Sequence, residues 1–308
     1  MTSYIIRRLL LMIPVLWGVV TLTFFLSRMV PGDPADAMAG QRATEEQRQA
    51  IRVKYGFDRP ILVQYGLYLV RLAQGDLGIS YDSHRPVTTI IAERFPYTFK
   101  LAFSAMVLAT ILGLLTGLIS ALMPNSWIDR TAMMLSLLGI STPVFWLGLL
   151  MMYFVSIKLQ WLPPSGFGNG SLRYLVLPAI ALGTQSVAFL ARMTRTSMLE
   201  VLSEDYITTA RAKGMSPVWV IGKHGLANAI IPVLTIIGLD FASYLSGSVL
   251  TETVFSWPGL GRHIVTAIAQ RDYPVINGTV LFFAMIFILI NLLVDILYAY
   301  LDPRIRYD

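Results

Sequence analysis

Residues 203–232 read SEDYITTARAKGMSPVWVIGKHGLANAIIP, and this is the one well-charged segment in the otherwise apolar last two thirds of the chain. It carries Glu204, Asp205, Arg211, Lys213 and Lys223, with Gly214 in the middle and Pro232 at its end. Long apolar runs flank it on both sides. A polar loop of this length is not needed to join two membrane spans, so it reads as a surface that another protein grips.

The local pattern of this segment is helix, turn, helix. Ser197 to Lys213 is helix-forming, with Met198, Val201, Leu202, Ile207 and Ala210 as its apolar positions. Gly214 fits a left-handed C-terminal cap. Ser216-Pro217 fits an N-cap followed by proline at the first helical position, opening a second short helix from Pro217 to about Leu226. Arg211 and Lys213 flank the turn, where they can pair with carboxylates or helix ends of a docked partner. The alternative is an amphipathic helix lying on lipid, with its basic residues on anionic headgroups.

The rest of the chain sets the context. Of 308 residues, 55% are hydrophobic and 14% charged, against the ~25% charged of soluble proteins. The apolar residues come in blocks rather than stripes, which predicts an all-α integral membrane protein. The net charge of +6 fits Lys and Arg retained on the cytoplasmic side better than it fits a nucleic-acid partner. The absence of cysteine excludes disulfides, Cys-ligated zinc and a thiol nucleophile.

Six stretches reach the ~20 residues a span needs: about 9–30, 98–123, 131–157, 174–196, 229–251 and 277–300. The first is too long for a signal-peptide core, and Ser27-Arg28-Met29-Val30-Pro31 lacks a small-x-small cleavage site, so it reads as an uncleaved span. With the N-terminus inside, the cytoplasmic side holds Arg7, Arg8, Arg130, Arg192, Arg195, Arg211, Lys213, Lys223, Arg304 and Arg306. The short outer loops hold only Lys158, Arg173, Arg262 and Arg271. Both termini are therefore expected in the cytoplasm, and Trp127 and Trp161 fall at span ends as interfacial anchors do.

Residues 31–97 form a separate region with eight basic and eight acidic residues. Thr44-Glu45-Glu46-Gln47 predicts a capped helix start, with helix to Lys54, a second helix over Tyr65 to Leu72 and a turn at Gly75-Asp76-Leu77-Gly78. A small extracytoplasmic subdomain is expected, a disordered loop being the alternative. The division is then 1–30 first span, 31–97 subdomain, 98–300 five-helix core with loop 197–228, and 301–308 cytoplasmic tail.

Chemistry-bearing motifs are missing. There is no GxxxxGK[ST], HExxH or GxSxG, and His84, His224 and His263 fall in three different loops, so neither a metal site nor catalysis is expected. Small residues recur every fourth position in the second span (Ala105, Ala109, Gly113, Gly117, Ala121), a stripe for close helix packing. Gly139 and Pro143 allow a bend in the third. In the fifth, Asp240, Ser243, Tyr244, Gly247 and Thr251 fall on one helical face, and Asp240 lies ~16 Å beyond Ala229, near the bilayer centre. A carboxylate there costs at least ~2.5 kcal/mol unless it has a partner or water. It reads as the wall of a pathway or as a local pair, for instance with Gln185 or a backbone group. Asn291, Asp295 and Tyr298 make a similar stripe near the inner end of the sixth span, where nearby basic residues favour a structural role.

The 203–232 segment resembles the EAA loop of permease subunits in bacterial ABC importers. The places of Glu-Ala-Ala, three residues, Gly hold Thr208, Thr209, Ala210 and Gly214. Thr-Thr-Ala departs from the name motif, and the distance from Gly214 to Pro232 is longer than in sugar permeases. Both departures match the dipeptide/oligopeptide/nickel class, where Thr209 to Gly214, Thr-Ala-Arg-Ala-Lys-Gly, is usual. Pro31-Gly32-Asp33-Pro34, Gly75-Asp76-Leu77-Gly78, Ser141-Thr142-Pro143, the run Glu252 to Gly261 and Leu301-Asp302-Pro303-Arg304 resemble the same class. The long region after the first span looks like the first of its two permease types.

The resemblance implies a type I ABC importer permease fold, a place in the cell membrane and a non-catalytic subunit of an ATP-driven peptide importer, dipeptides first. Nickel, glutathione or another small solute is the alternative substrate, and a stand-alone secondary transporter or channel the alternative class. It implies ATPase coupling through Thr208, Thr209, Ala210, Arg211, Ala212, Lys213, Gly214, Met215, Ser216 and Pro217. The implied partners are a second homologous permease, two ATP-binding subunits or domains that hold ATP and Mg, and an extracytoplasmic substrate-binding protein. No cofactor is expected in this chain. Asp240, Ser243 and Tyr244 are the candidate translocation path.

Overall fold

The computed structural model describes residues 2–29, 33–39 and 43–301. Pro31, Gly32 and the Asp302–Asp308 tail lie outside the described residues. Helices dominate, and among the described residues the one β-type pairing is an isolated bridge between Ile79 and Pro86.

The first span is α1 (Thr2–Met29). Three short helices follow: α2 (Pro34–Ala39), α3 (Glu45–Tyr55) and α4 (Ile61–Ala73). The capping box of α3 forms as its sequence dictates. Thr44 Oγ1 accepts from Gln47 N–H, Gln47 Oε1 accepts from Thr44 N–H, and Gly56 ends the helix at φ +70°. Gly75 and Gly78 take positive φ in the turn after α4.

Next comes α5 (Val87–Leu122), which begins well before the apolar stretch. Residues 87–97, the last of the expected subdomain, thus form the first turns of α5, because Pro86 starts the helix and Pro96 fails to stop it. The third span is broken: α6 (Trp127–Ser141) and α7 (Val144–Met151) meet at 105°. Proline at 143 pushes Thr142 into an extended conformation, and the Thr142 carbonyl left over accepts from Gln185 Nε2 at 3.3 Å. A π-helical stretch, Met152–Lys158, carries the chain onward.

The central helix is α8 (Arg173–Leu202), and α5 makes its most extensive contact. The small-residue stripe explains the closeness. A Cβ on Gly113 would stand 2.5 Å from Leu190 Cβ, and one on Gly117 would overlap the Ala191 carbonyl oxygen. In the same interface Leu101, Ala102 and Ala105 join Leu182, Leu245 and Trp257 in the main core.

After α8 come α9 (Asp205–Ala212), the one-turn α10 (Pro217–Trp219), a π-helical stretch Val220–Leu226, and α11 (Ala227–Gly247). The chain then forms α12 (Val249–Val254), α13 (Leu260–Gln270) and α14 (Tyr273–Leu301). Among the described residues, five helices are long and apolar enough to cross a membrane, or six with the bent pair counted as one span. This matches the six stretches. Their edges move: α11 ends at Gly247, so Thr251 lies on α12 and drops out of the Asp240 stripe. The structural role read for Asp295 holds, since Arg8 pairs with it at 2.7 Å and ties α1 to α14. Trp127 and Trp161 are both largely exposed.

Candidate functional site

The loop at the end of α8 builds a surface in three steps. First, the expected single helix Ser197–Lys213 divides at Ser203-Glu204, where Glu204 takes extended backbone angles as N-cap of α9. The division turns α9 away from the axis of α8, as one continuous helix could not. Second, Gly214, at φ +76°, closes α9 in a Schellman motif. Its N–H donates to Arg211 O at 3.0 Å, and Met215 N–H donates to Ala210 O at 3.3 Å. Third, Ser216 and Pro217 start a second helix. That helix does not stop near Leu226. It runs on through the π-helical stretch into α11, because nothing from Val220 to Pro232 removes enough backbone bonds to end it.

Ile207, Ala210 and Val220 are buried together, with Val201, Leu202 and Met215 against them. This small core fixes the angle between the two helices and sends the remaining side chains outward. Thr208, Thr209, Arg211, Ala212, Lys213, Gly214, Ser216 and Pro217 are exposed, and Met215 is half-buried. The predicted residues thus form one outward surface, apart from the two that pin it from beneath, Ala210 and Met215. Three contributors were missed in the sequence. Tyr206, Val218 and Trp219 are 42%, 79% and 60% exposed on the same element. An aromatic and apolar patch beside acids (Glu204, Asp205) and bases (Arg211, Lys213) has the make-up of a protein-binding surface. Their spacing out of helical register with Ile207 and Val220 was the signal available.

The second candidate lies on α11 and α8. The Ser186 hydroxyl donates to Asp240 Oδ2 and also meets the Tyr244 hydroxyl, which donates to Leu182 O at 3.0 Å. The structure therefore brings Asp240 and Tyr244 together through Ser186, a residue not singled out in the sequence. Gln185 is not the partner, being turned toward Thr142. Ser243 is exposed and stands outside the network. Tyr244 is buried in the main core, while Asp240 is half-buried.

Another carboxylate, Glu252 on α12 just past the end of α11, is wholly enclosed. It accepts from Thr98 Oγ1 at 2.7 Å, Ser248 Oγ at 2.9 Å and Arg262 N–H at 2.9 Å. Thr98 Oγ1 in turn accepts from Leu260 N–H at 2.8 Å. A Cβ on Gly259 would overlap the Glu252 carboxylate, which explains the glycines of Trp257-Pro258-Gly259-Leu260-Gly261. Trp257 is buried beside them and donates from Nε1 to Tyr97 O at 2.9 Å.

With the broken third span, the angled α9–α10 element and the closed 252–261 loop in place, comparison with known proteins gives the class. The model of the binding-protein-dependent transport system inner membrane component matches residues 109–307, and that of the N-terminal part of such membrane components matches residues 1–102. The chain belongs to this family of multi-pass membrane permeases of ABC importers. It is 47% identical over 307 residues to the glutathione transport system permease protein GsiC of Escherichia coli. It is 45% identical over 336 residues to the dipeptide transport system permease protein DppB of Alkalihalophilus pseudofirmus. Both alignments cover 100% of each chain. Among solved structures, the inward-facing MetNI methionine ABC transporter shares the fold, with a TM-score of 0.60 at 18% identity over 70% of this chain and 97% of that one.

Proposed function

We propose that this chain is the permease subunit of an ATP-driven importer of peptides, with dipeptides as first substrate. Full-length similarity to permeases named for dipeptide and for glutathione supports a small peptide-like cargo. The chain would pair with a second homologous permease. Two ATP-binding subunits or domains would dock on residues 205–219, and an extracytoplasmic binding protein would deliver the substrate. ATP and Mg would sit on the ATPases, and this chain would itself be non-catalytic. Both termini and the α9–α10 element would face the cytoplasm, a placement that the excess of basic residues on that side supports.

The observation that carries the reading is the rigid α9–α10 hairpin, pinned by its own small core while Tyr206, Val218 and Trp219 face outward. A lone transporter has no need of such a surface. Purification tests it: a multi-chain complex with substrate-stimulated ATPase activity is expected, and a transport-competent single chain would overturn it. Reporter fusions test the orientation. One after residue 215 should report the cytoplasm and one after residue 60 the outside, and the reverse result ends the assignment.

A further inference from the structure

A cavity of about 160 Å³ opens between the end of α1, helix α4 and the turn after it. Its depth follows from α4. Tyr65 meets Thr21 hydroxyl to hydroxyl at 2.6 Å, and Thr21 donates to Trp17 O. Phe24 stacks on Tyr68 with ring centroids 5.4 Å apart. Thr21 lies eight residues before Met29, so α4 reaches ~12 Å down the span. It does so with Leu62 and Val70 bare on its other side. An apolar helix held beside a membrane span at that depth lies in the membrane interface.

The cavity at this level is cationic. Arg28 is half-buried, its guanidinium 5.4 Å from the Phe24 ring centre and 5.1 Å from that of Phe57. The nearby Asp33 carboxylate is held by Arg52 at 2.6 Å. Neither Arg28 nor Arg71, the second guanidinium in the lining, makes an ion pair among the described residues. The one acid in the lining, Asp76, accepts from Gly78 N–H at 2.8 Å. In the wall, the Tyr68 hydroxyl and Gln64 Oε1 are enclosed and, among the described residues, without partners. Gln64 cannot relieve this by flipping, because its amide nitrogen donates to Phe57 O and Arg59 O; its oxygen therefore calls for a donor on the ligand, such as a headgroup hydroxyl, while the Tyr68 hydroxyl can donate to the phosphate. Two guanidinium groups, that of Arg28 over two aromatic rings, in a concave lining with two bases and one acid, are built for an oxyanion.

We propose that this cavity holds the phosphate of a membrane phospholipid headgroup, with Arg28 as the deep contact and Arg71 at the mouth. The chemistry recognised is a phosphate oxyanion. The interfacial depth of α4 selects a lipid as its source, since the acyl chains would run along Leu67 at the cavity wall and Val63 beside it, both exposed. Bound in this way, the lipid would fasten the α2–α4 region to α1.

The test uses the full chain purified with its partner subunits, delipidated in detergent and examined by native mass spectrometry. Phosphatidylglycerol, diacylglycerol, inorganic phosphate and a dipeptide are titrated in separate arms. One retained phosphatidylglycerol is expected, with diacylglycerol about tenfold weaker for want of the charge-assisted bonds. Arg28→Gln should weaken phosphatidylglycerol about tenfold and Arg71→Gln several-fold. Arg71 is exposed, so its replacement leaves the fold intact and keeps the test decisive if Arg28→Gln misfolds. Binding of inorganic phosphate without the lipid overturns the lipid assignment, and so does preferential binding of the dipeptide. Equal retention of phosphatidylglycerol by wild type and Arg71→Gln overturns the site.

Discussion

The two ends of α11 are opposite in character. At its start, the α9–α10 hairpin turns most of its side chains outward, and its buried core is only Ile207, Ala210 and Val220 with their half-buried neighbours. At its end, the 252–261 loop turns inward, with Glu252, Phe255, Trp257 and Leu260 all at most 1% exposed. Both ends carry charge and aromatic rings. What separates them is satisfaction. Every polar group named at the closed end has its partner within the chain, whereas the open end leaves Tyr206, Arg211, Lys213 and most of the Trp219 ring, which meets only Lys223 at 5.7 Å, exposed for contact from outside. A closed end of this kind holds a shape, and an open one waits for a partner.

The sharpest way to break the comparison is at the closed end. Glu252→Ala leaves the Ser248 and Thr98 hydroxyls and the Arg262 N–H without an acceptor in a site closed to water. The cost is on the order of 3 kcal/mol, read as lost complex yield or a lower melting temperature. Gly259→Ala should fail in the same way, since its methyl would need the space of the Glu252 carboxylate. Normal stability in both variants would show that the loop is not a clamp.

At the open end the expected effect falls on assembly. Trp219→Ala removes a ring that is 60% exposed, so the isolated subunit should melt as before. If Trp219 is an anchor for the ATPase, affinity for it should drop by about 2 kcal/mol, or roughly thirtyfold. Unchanged docking with unchanged stability would move the surface elsewhere. Gly214→Val acts more gently. A Cβ there meets nothing within 4 Å, so the cost is only the left-handed backbone, ~1–2 kcal/mol. Gly214→Ala should cost less, because its side chain is not β-branched. Both should weaken ATPase stimulation while leaving capture by the binding protein intact. Full transport by Gly214→Val at normal yield would end the coupling role.

Much of this was legible from residue order. The caps at Thr44 and Gly214 and the small stripe from Ala105 to Ala121 depend on neighbours within one turn or one helix face. These local rules survive folding. What the sequence hid depends on distant pairing. Thr98 meets Glu252 and Ser186 meets Asp240 across separations that no periodicity reports. The length of α5 was hidden for another reason: Pro96 and the polar residues around it look like an end, yet packing against α13 and α14 carries the helix through. The break at Ser203-Glu204 had no signal beyond a serine, since α9 is set by burial of Ile207.

Asp240 lies between the two ends and shares features of both, which makes it the finest test. Like Glu252 it has an internal hydroxyl partner, Ser186. Unlike Glu252 it is half-buried and has no second donor from the protein among the described residues. A carboxylate so placed could give a transient hold to a cationic or free-amino group passing along the core, weakly enough to release it. Asp240→Asn keeps the shape and the Ser186 contact while removing the charge. If Asp240 belongs to a path, transport of a cationic peptide should fall several-fold more than that of a neutral one, with the melting temperature unchanged; a neutral amide still satisfies the serine, at a difference of about 1 kcal/mol. If instead it works as Glu252 does, both substrates should lose transport alike and stability should fall with them. Transport of two peptides differing only in charge, measured beside a thermal melt of the same preparation, separates these outcomes. A uniform loss that tracks stability would place Asp240 with the closed end and remove it from the path.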